Sequence, residues 1–331
     1  GLEASGVVER VGASVTNVKV GDEVFGLMDQ GIATHTTTEA CFVTKKPANI
    51  TLEQGATVFV PYTTAYATIV SLGKVKKGQT VLIHGAAGGV GSGAIQLAHA
   101  AGATVIAQTD NAGSKIDTGK WVTWVYPWGE GVPQAEVPAG ISLSLAAELL
   151  DQQEGYADLA DMYAGIAEMD KILPPAREKV NAELGDRFAK LCQEHEFFYI
   201  LGSGPNFSQT YGFAICSLME MQWQHCSYIH SAEYFHGPFE ATQDGVFYFL
   251  QMGSSECRPM DERALAFLET HTDTLMVLDA KEYGMEAVPA SVRSYLDPVL
   301  FYAMNCELRA ARGKVFDHDP DFRRYMGVVE Y

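Results

Sequence analysis

The chain has 331 residues and a mass of 36.0 kDa, which excludes a lone small module and predicts two domains, each long enough to bury a core. Hydrophobic residues make up 47% and charged ones 19%, values that exclude a wholly disordered or fibrous chain. A net charge of -18 excludes nucleic acid and anionic membranes as partners, because both would repel such a surface. The charge is unevenly placed: residues 1–100 carry 7 Lys+Arg against 7 Asp+Glu, so all of the excess comes from residues 101–331.

Six cysteines (Cys41, Cys192, Cys216, Cys226, Cys257, Cys306) show no CxxC spacing. Cys216 and Cys226 read as lying in apolar surroundings, as reduced thiols do, so a reducing, cytoplasmic compartment is expected. The chain opens at Gly1 without a charged and then apolar leader, so a targeting signal is expected to be absent or already removed. The longest uncharged stretch, Gly78 to Thr109, is too rich in Gly and too polar to span a bilayer.

In chain order, residues 5–28 alternate short Val-rich runs with Gly and Asn, and Gly21-Asp22 is a turn signal, so two or three antiparallel strands are predicted. Strands continue through Ala40 to Lys45, and a helix is predicted around Thr64 to Ser71. Gln79 to His84 is a continuous apolar run of the buried-strand kind. A Gly-rich turn, a helix over Ile95 to Ala101 and a second buried strand over Ala103 to Ala107 complete a βαβ unit. Trp121 to Tyr126 reads as a further strand. Leu159, Met162, Ile166, Met169 and Leu173 recur at helical spacing, as do Val180, Leu184, Phe188 and Leu191, and Pro174-Pro175 is expected to separate the two helices. From Glu196 onward FFYILGS, a helix over Phe207 to Trp223, GVFYFLQM, a helix over Glu262 to Thr270, TLMVLD and a helix over Val292 to Arg312 predict a parallel sheet with helices on both faces.

Between Gly204 and Ala232 the 29 residues hold one carboxylate, Glu220. At helical spacing it shares a face with Phe213, Cys216 and Trp223. Desolvation there would prepare it to accept a proton near neutral pH, as a general base must. The alternative is a core Glu paired with a cation or hydrogen-bond donor. Sixteen residues on, His236 stands in HSAEYFHGPFE beside Glu233, Glu240 and the Gly237-Pro238 turn, where it can act as an acid or remain purely structural. His225 and His230 lack metal-ligand spacing to a second ligand, and no metal is expected.

LGSGPNFSQTYGFAICSLMEMQWQHCSYIHSAEYFHGPFE, with the closing RRYMGVVEY, resembles the second half of a sugar isomerase (SIS) domain protein, and most closely the deglycases of 6-phosphorylated fructosamines of the fructose-asparagine type. The resemblance covers about Gly102 to Tyr331. It implies a flavodoxin-like parallel-sheet domain over residues 171–331 and a homodimer with active sites shared between subunits. It also implies Glu220 as base, His236 as acid, and substrate contacts at Ser203, Gly204 and Glu233. The separation of Glu220 and His236 resembles that in the isomerase domain of glucosamine-6-phosphate synthase, whose Lys three residues before the Glu is replaced by Ser217. The implied substrate is a small-molecule sugar phosphate and no cofactor is required.

The turn His84-Gly85-Ala86-Ala87-Gly88-Gly89-Val90-Gly91 between a strand and a helix is the context in which backbone N–H groups cradle a phosphate. Asp110, 19 residues after Gly91, stands where an acid would hold a ribose hydroxyl, or is a plain loop Asp. GLEASGVVERVG, GDEVFGL, VPYTTAYATI and VLIHGAAGGVGSGAIQLA resemble a zinc-free medium-chain reductase of the quinone or polyketide enoyl reductase kind, with Leu2 where zinc-dependent members have His. That resemblance ends near residue 107 and lacks much of the cofactor domain. The chain therefore reads as a fusion of a β-rich segment over 1–75, a βαβ unit and helical connection over 76–170, and the SIS domain. In place of the Ser/Thr-rich phosphate loop of a first SIS lobe stands HGAAGGVGSG, with Gly85, Gly88, Gly89, Gly91 and Ser92 as its candidate phosphate- or cofactor-binding residues. Three readings follow: a phosphosugar isomerase or deglycase, favoured by two thirds of the chain; an NADPH-dependent reductase; and an inactive sugar-phosphate-binding hybrid.

Overall fold

A computed structural model describes residues 2–28, 30–127, 129, 131–319 and 321–326. The chain forms two compact units, one of Gly1–Trp128 with Tyr325–Tyr331 and the other of Gly129–Arg324.

In the first unit β1 (Glu3–Val7) pairs antiparallel with β2 (Glu23–Leu27), and β2 with β3 (Val43–Lys45). The expected turn between the first two strands is there: Gly21 takes φ 89°, a conformation glycine adopts without a steric cost, and Asp22 accepts the Lys19 N–H at 2.9 Å. Ala4, Val18, Val24 and Met28 close a small core on one face of this sheet. A short α1 (Leu52–Gly55) is started by a capping box between Thr51 and Gln54. It leads into α2 (Phe59–Tyr66), which continues in wider π turns over Ala67–Leu72.

Next come β4 (Thr80–Ile83), α3 (Gly89–Ala100), β5 (Thr104–Thr109) and β6 (Val122–Val125), with the three strands parallel in the order β4-β5-β6. Helix α3 begins at Gly89 rather than at Ile95, so Gly91 and Ser92 belong to the helix and not to the turn. The reason is steric. A Cβ at Gly91 would lie 2.4 Å from the Gly85 carbonyl oxygen, so only glycine lets the helix start this close to the strand it follows. Ala65, Ile69, Ile83, Ile95, Ala98, Val105 and Ala107 form the core of this layer.

The second unit opens with α4 (Pro138–Glu154), α5 (Leu159–Val180) and α6 (Asp186–Glu194). Then follow β7 (Phe197–Gly202), α7 (Phe207–Gly212), β8 (His225–His230), β9 (Phe247–Met252), α8 (Arg258–His271), β10 (Leu275–Asp279) and α9 (Arg293–Phe316). The strands are all parallel in the order β10-β9-β7-β8. The six residues of β9 are all buried, as expected for an inner strand covered on both faces. Phe188, Phe198, Phe213, Phe249 and Phe301 pack on one face and Tyr234, Tyr248, Leu250 and Leu268 on the other.

Pro174 and Pro175 do not separate two helices, contrary to expectation; both lie inside α5. An interior Pro costs about 3 kcal/mol. Met162, Ile166, Met169, Ile172, Leu173, Ala176 and Val180 are buried along one stripe of α5, and at about 1.5–3 kcal/mol per large side chain that burial outweighs the cost. The winding changes later, in a π turn at Asn181–Gly185. Leu300, Phe301 and Met304 of α9 are fully buried, whereas Tyr302 between them is 51% exposed. No described helix is long and apolar enough to cross a membrane. All six cysteines are free. Burial pushes the Cys192 and Cys226 thiols up to about 12, whereas Cys216 is exposed, against the apolar setting expected for it.

Candidate active site

Glu220 ends a π-helical stretch, Phe213–Glu220, that continues α7. In a π turn the hydrogen bonds run i→i+5, so each turn holds more residues than an α turn and faces drawn at 3.6-residue spacing fall out of phase. Phe213 therefore points into the core at 1% exposure, Cys216 is exposed, and Glu220 is half-buried instead of sharing Phe213's apolar face. The Glu220 carboxylate accepts a hydrogen bond from Arg323 Nε at 3.2 Å, an ion pair with 31% and 22% of the two side chains exposed. The surroundings expected to be apolar thus include a cation.

The segment after Glu220 is locked from several sides. Gln224 N–H donates to the Leu218 carbonyl at 2.9 Å and Trp223 N–H to that of Met219 at 3.2 Å, a Schellman-like helix end in which each bond spans one residue more than usual, in keeping with the π turns before it. The left-handed residue of that motif, usually Gly, is Trp223 at φ 53°. Its indole is covered by His318 at 4.6 Å, Phe322 at 5.7 Å and the Arg324 guanidinium at 4.0 Å between centres. Gln222 and Gln224 both accept from Arg312, and His318 Nε2 lies 2.8 Å from the Met221 carbonyl. Sequence reasoning missed this strap over 317–319 and 321–324. The signal was the pair Arg323-Arg324 in the closing RRYMGVVEY, whose last five residues, 327–331, lie outside the described residues.

His236 sits at the other end of β8. The loop after that strand is anchored by buried Tyr234, whose hydroxyl bonds Thr242, and by Phe235 under the Arg263 guanidinium. A turn at Tyr234–His236, closed by His236 N–H on the Glu233 carbonyl and followed by Gly237 at φ 145°, leaves His236 and Glu233 exposed. Glu220 lies just before β8 and His236 just after it. Five steps of about 3.3 Å make the strand between them roughly 16 Å long, so Glu220 and His236 flank its opposite ends.

At the same end of the sheet as His236, Gly204 takes φ 59°, and a Cβ there would lie 2.3 Å from Ser255 Oγ. Ser203 is 1% exposed and its hydroxyl donates to the Cys257 carbonyl at 3.3 Å, so it faces the protein rather than a ligand. Two buried carboxylates flank this loop. Asp297 accepts from Ser254 N–H at 2.6 Å and from its hydroxyl, while burial lifts its carboxyl to about 6. Asp261 is raised in the same way; the hydroxyls of Ser231 and Ser203 face it without forming a hydrogen bond of good geometry.

In the first unit, Gly85 (φ 57°), Gly88 and Gly89 are exposed, and Gly88 caps α3, whose first N–H groups face the loop. The Ser92 hydroxyl donates to the Gly89 carbonyl at 2.9 Å and is thereby engaged within its own helix. Asp110 is exposed at the end of β5. Among the described residues no group of three or more His, Cys, Asp or Glu is arranged to hold a metal ion.

No known protein-family pattern matches the chain. The fructosamine deglycase of Bacillus subtilis (strain 168) is 32% identical over 241 residues, 72% of this chain and 72% of that protein. The fructoselysine 6-phosphate deglycase of Escherichia coli (strain K12) is 29% identical over 248 residues, 72% of this chain and 68% of that protein. A solved phosphosugar isomerase structure from Bacillus subtilis shares 26% identity and superposes with a TM-score of 0.71 over 83% of this chain and 89% of its own. The reducing polyketide synthase of Hypomyces subiculosus is 49% identical over 98 residues, which are 30% of this chain and 4% of that protein. Both resemblances read from the sequence are thus found, and the extent of the first over both partners means that the chain belongs to the sugar isomerase family, in its fructosamine deglycase branch.

Proposed function

We propose that this protein is a deglycase that converts a 6-phosphofructosyl amino acid into glucose 6-phosphate and the free amino acid. The observation that carries the reading is Glu220: the one acid of its 29-residue stretch, half-exposed at a helix end, in a chain of the deglycase family. The substrate has its carbonyl at C2 and its amine at C1. Glu220 takes a proton from C1 while the C2 oxygen gains one, giving an enolamine; it returns the proton to C2 as the nitrogen loses its own, giving an imine at C1. Water adds at C1 and the amine leaves with a proton from His236. The sequence is redox-neutral within the sugar, so no nicotinamide takes part. NADPH binding belongs to the alternative reading, a reductase built on the Gly85–Ser92 loop.

Glu220 and His236 lie at opposite ends of one strand, so we infer a homodimer in which Glu220 of one copy works with His236 of the partner subunit. Glu233, exposed beside His236, and the Gly204 backbone are the proposed substrate contacts. The loop carrying Gly85, Gly88, Gly89, Gly91 and Ser92 in the first unit is proposed as a phosphate- or cofactor-binding loop that would use backbone N–H groups in place of hydroxyls. The free thiols fit a reducing, cytoplasmic compartment.

The test is to follow glucose 6-phosphate release from a 6-phosphofructosyl amino acid by the parent, Glu220→Gln, His236→Ala and an equimolar mixture of the two variants after subunit exchange. Release by the parent, none by either variant, and recovery of roughly a quarter of the parent rate in the mixture is the expected result, since half the dimers are mixed and each holds one intact site of two. A mixture as inactive as its components overturns the shared site. A folded parent without release overturns the deglycase reading.

A further inference from the structure

Arg323 holds the proposed base in a hydrogen-bonded ion pair, yet nothing in proton transfer between C1 and C2 calls for a guanidinium at that place. Resting on the deglycase reading, we propose that Arg323 is a specificity-determining residue that receives the α-carboxylate of substrates whose sugar is attached through the α-amino nitrogen.

The argument starts from bond counting. In an α-amino adduct the carboxylate carbon is three bonds from C1, through the nitrogen and Cα, so a base that reaches the C1 proton necessarily meets a second anion beside it. Two carboxylates at such a distance repel unless a cation lies between them. A guanidinium has a planar fork of N–H donors that suits carboxylates and can address two at once, which an ammonium does less well. Arg323 Nε is already 3.2 Å from Glu220 Oε1, and the side chain is 22% exposed, so it is reachable from solvent. In an adduct formed through a lysine ε-amino group the α-carboxylate is four bonds further away, and the same cation does not reach it.

The structure also accounts for the rigidity of this cation. Its neighbours in the strap pack against Trp223: His318 edge to face, Phe322 tilted, and the Arg324 guanidinium over the ring. Trp223 itself is held at φ 53°, a conformation that a bulky residue adopts only when its surroundings dictate it. An Arg placed so firmly loses little further freedom on binding, which favours discrimination over adaptability.

The experiment compares adducts of 6-phosphofructose with glycine and with methylamine, which differ only in the carboxylate, and the ε-adduct of lysine. Parent protein, Arg323→Met and Arg323→Lys are each measured. The parent is expected to prefer the glycine adduct in kcat/KM by about 10- to 100-fold over the methylamine adduct, the range of a charge-assisted pair. Arg323→Met should abolish that preference: kcat/KM for the methylamine and ε-lysine adducts falls only by the factor that losing the contact with Glu220 costs, kcat/KM for the glycine adduct falls a further 10- to 100-fold, and Arg323→Lys should restore part of the difference. Equal losses on all three substrates would show that Arg323 merely positions Glu220 and would overturn the inference. Binding of the unreactive reduced analogues, in which C2 carries a hydroxyl in place of the carbonyl, is measured in parallel by calorimetry. If no adduct is turned over, a parent that still prefers the glycine analogue sinks the deglycase reading alone, and a parent without preference sinks the inference.

Discussion

The two units bury apolar surface in different ways. In the second, β9 is covered on both faces, with Phe247, Tyr248, Phe249 and Leu250 at 0% exposure, and aromatic residues fill both layers. In the first, the cores are small and built mostly from Ala, Val and Ile, while Leu72 is 79% and Ile32 78% exposed. Yet the first unit has relatives of higher identity, 49% over 98 residues against 32% over 241. Identity reports where a segment came from. Whether that segment carries a complete core is a separate matter, settled by which side chains find partners, and of these two matches the deglycase one covers 72% of the relative's length and the synthase one 4%.

The largest expected effect tests the functional half of this contrast. Glu220→Gln should lower glucose 6-phosphate release by about 10²- to 10⁴-fold, the usual contribution of a general base, without moving the melting curve. A smaller loss would place the chemistry elsewhere. In calorimetry two transitions are expected. Phe249→Ala should lower only the upper one, by about 3–5 kcal/mol, and Ile95→Ala only the lower one, by about 2–5 kcal/mol. Both substitutions shifting one common transition would break the comparison.

Acidity sharpens it further. Burial raises the Asp297 carboxyl from 3.8 to about 6, against the opposing pull of the Ser254 hydrogen bonds. The folded state then keeps a proton that the unfolded chain releases. The stability linked to this group is therefore full below pH 3.8, declines as the pH rises, and is gone above about 6. The parent's upper transition should lose about 3 kcal/mol more across that window than Asp297→Asn does. The smallest effect concerns ligands. Saturating glucose 6-phosphate should stabilise the protein by up to about 2.7 kcal/mol at a hundredfold excess over Kd, and NADPH should not. Stabilisation by NADPH alone would favour the reductase reading, and unchanged sugar-phosphate affinity in Gly88→Leu would show that the loop binds no sugar phosphate.

Much of this was legible beforehand. FFYILGS, GVFYFLQM and TLMVLD are strands because long apolar runs bounded by Gly or turn residues bury well on both faces, and β7, β9 and β10 lie where those runs stand. Strand β8, HCSYIH, was hidden because a helix end and a His-rich turn crowd it on either side. The Pro174-Pro175 break failed because local propensity yields when one stripe of a helix is fully buried. The apolar face drawn for Glu220 failed because a π stretch cannot be told from an α stretch in residue order.

What the amino-acid order determined by itself is the class of the parts: parallel strands from apolar runs, the Gly-rich turn ahead of α3, the candidate pair Glu220 and His236, and the two resemblances. All of these depend on near neighbours in the chain or on direct similarity. What only the tertiary structure decided is who meets whom. Arg323 reaches Glu220 across 103 residues, Trp223 becomes the platform for His318, Phe322 and Arg324, and His236 ends up beyond the far end of β8. Such contacts arise from how helices and strands pack after they form, and no local period or spacing encodes a distance across the fold.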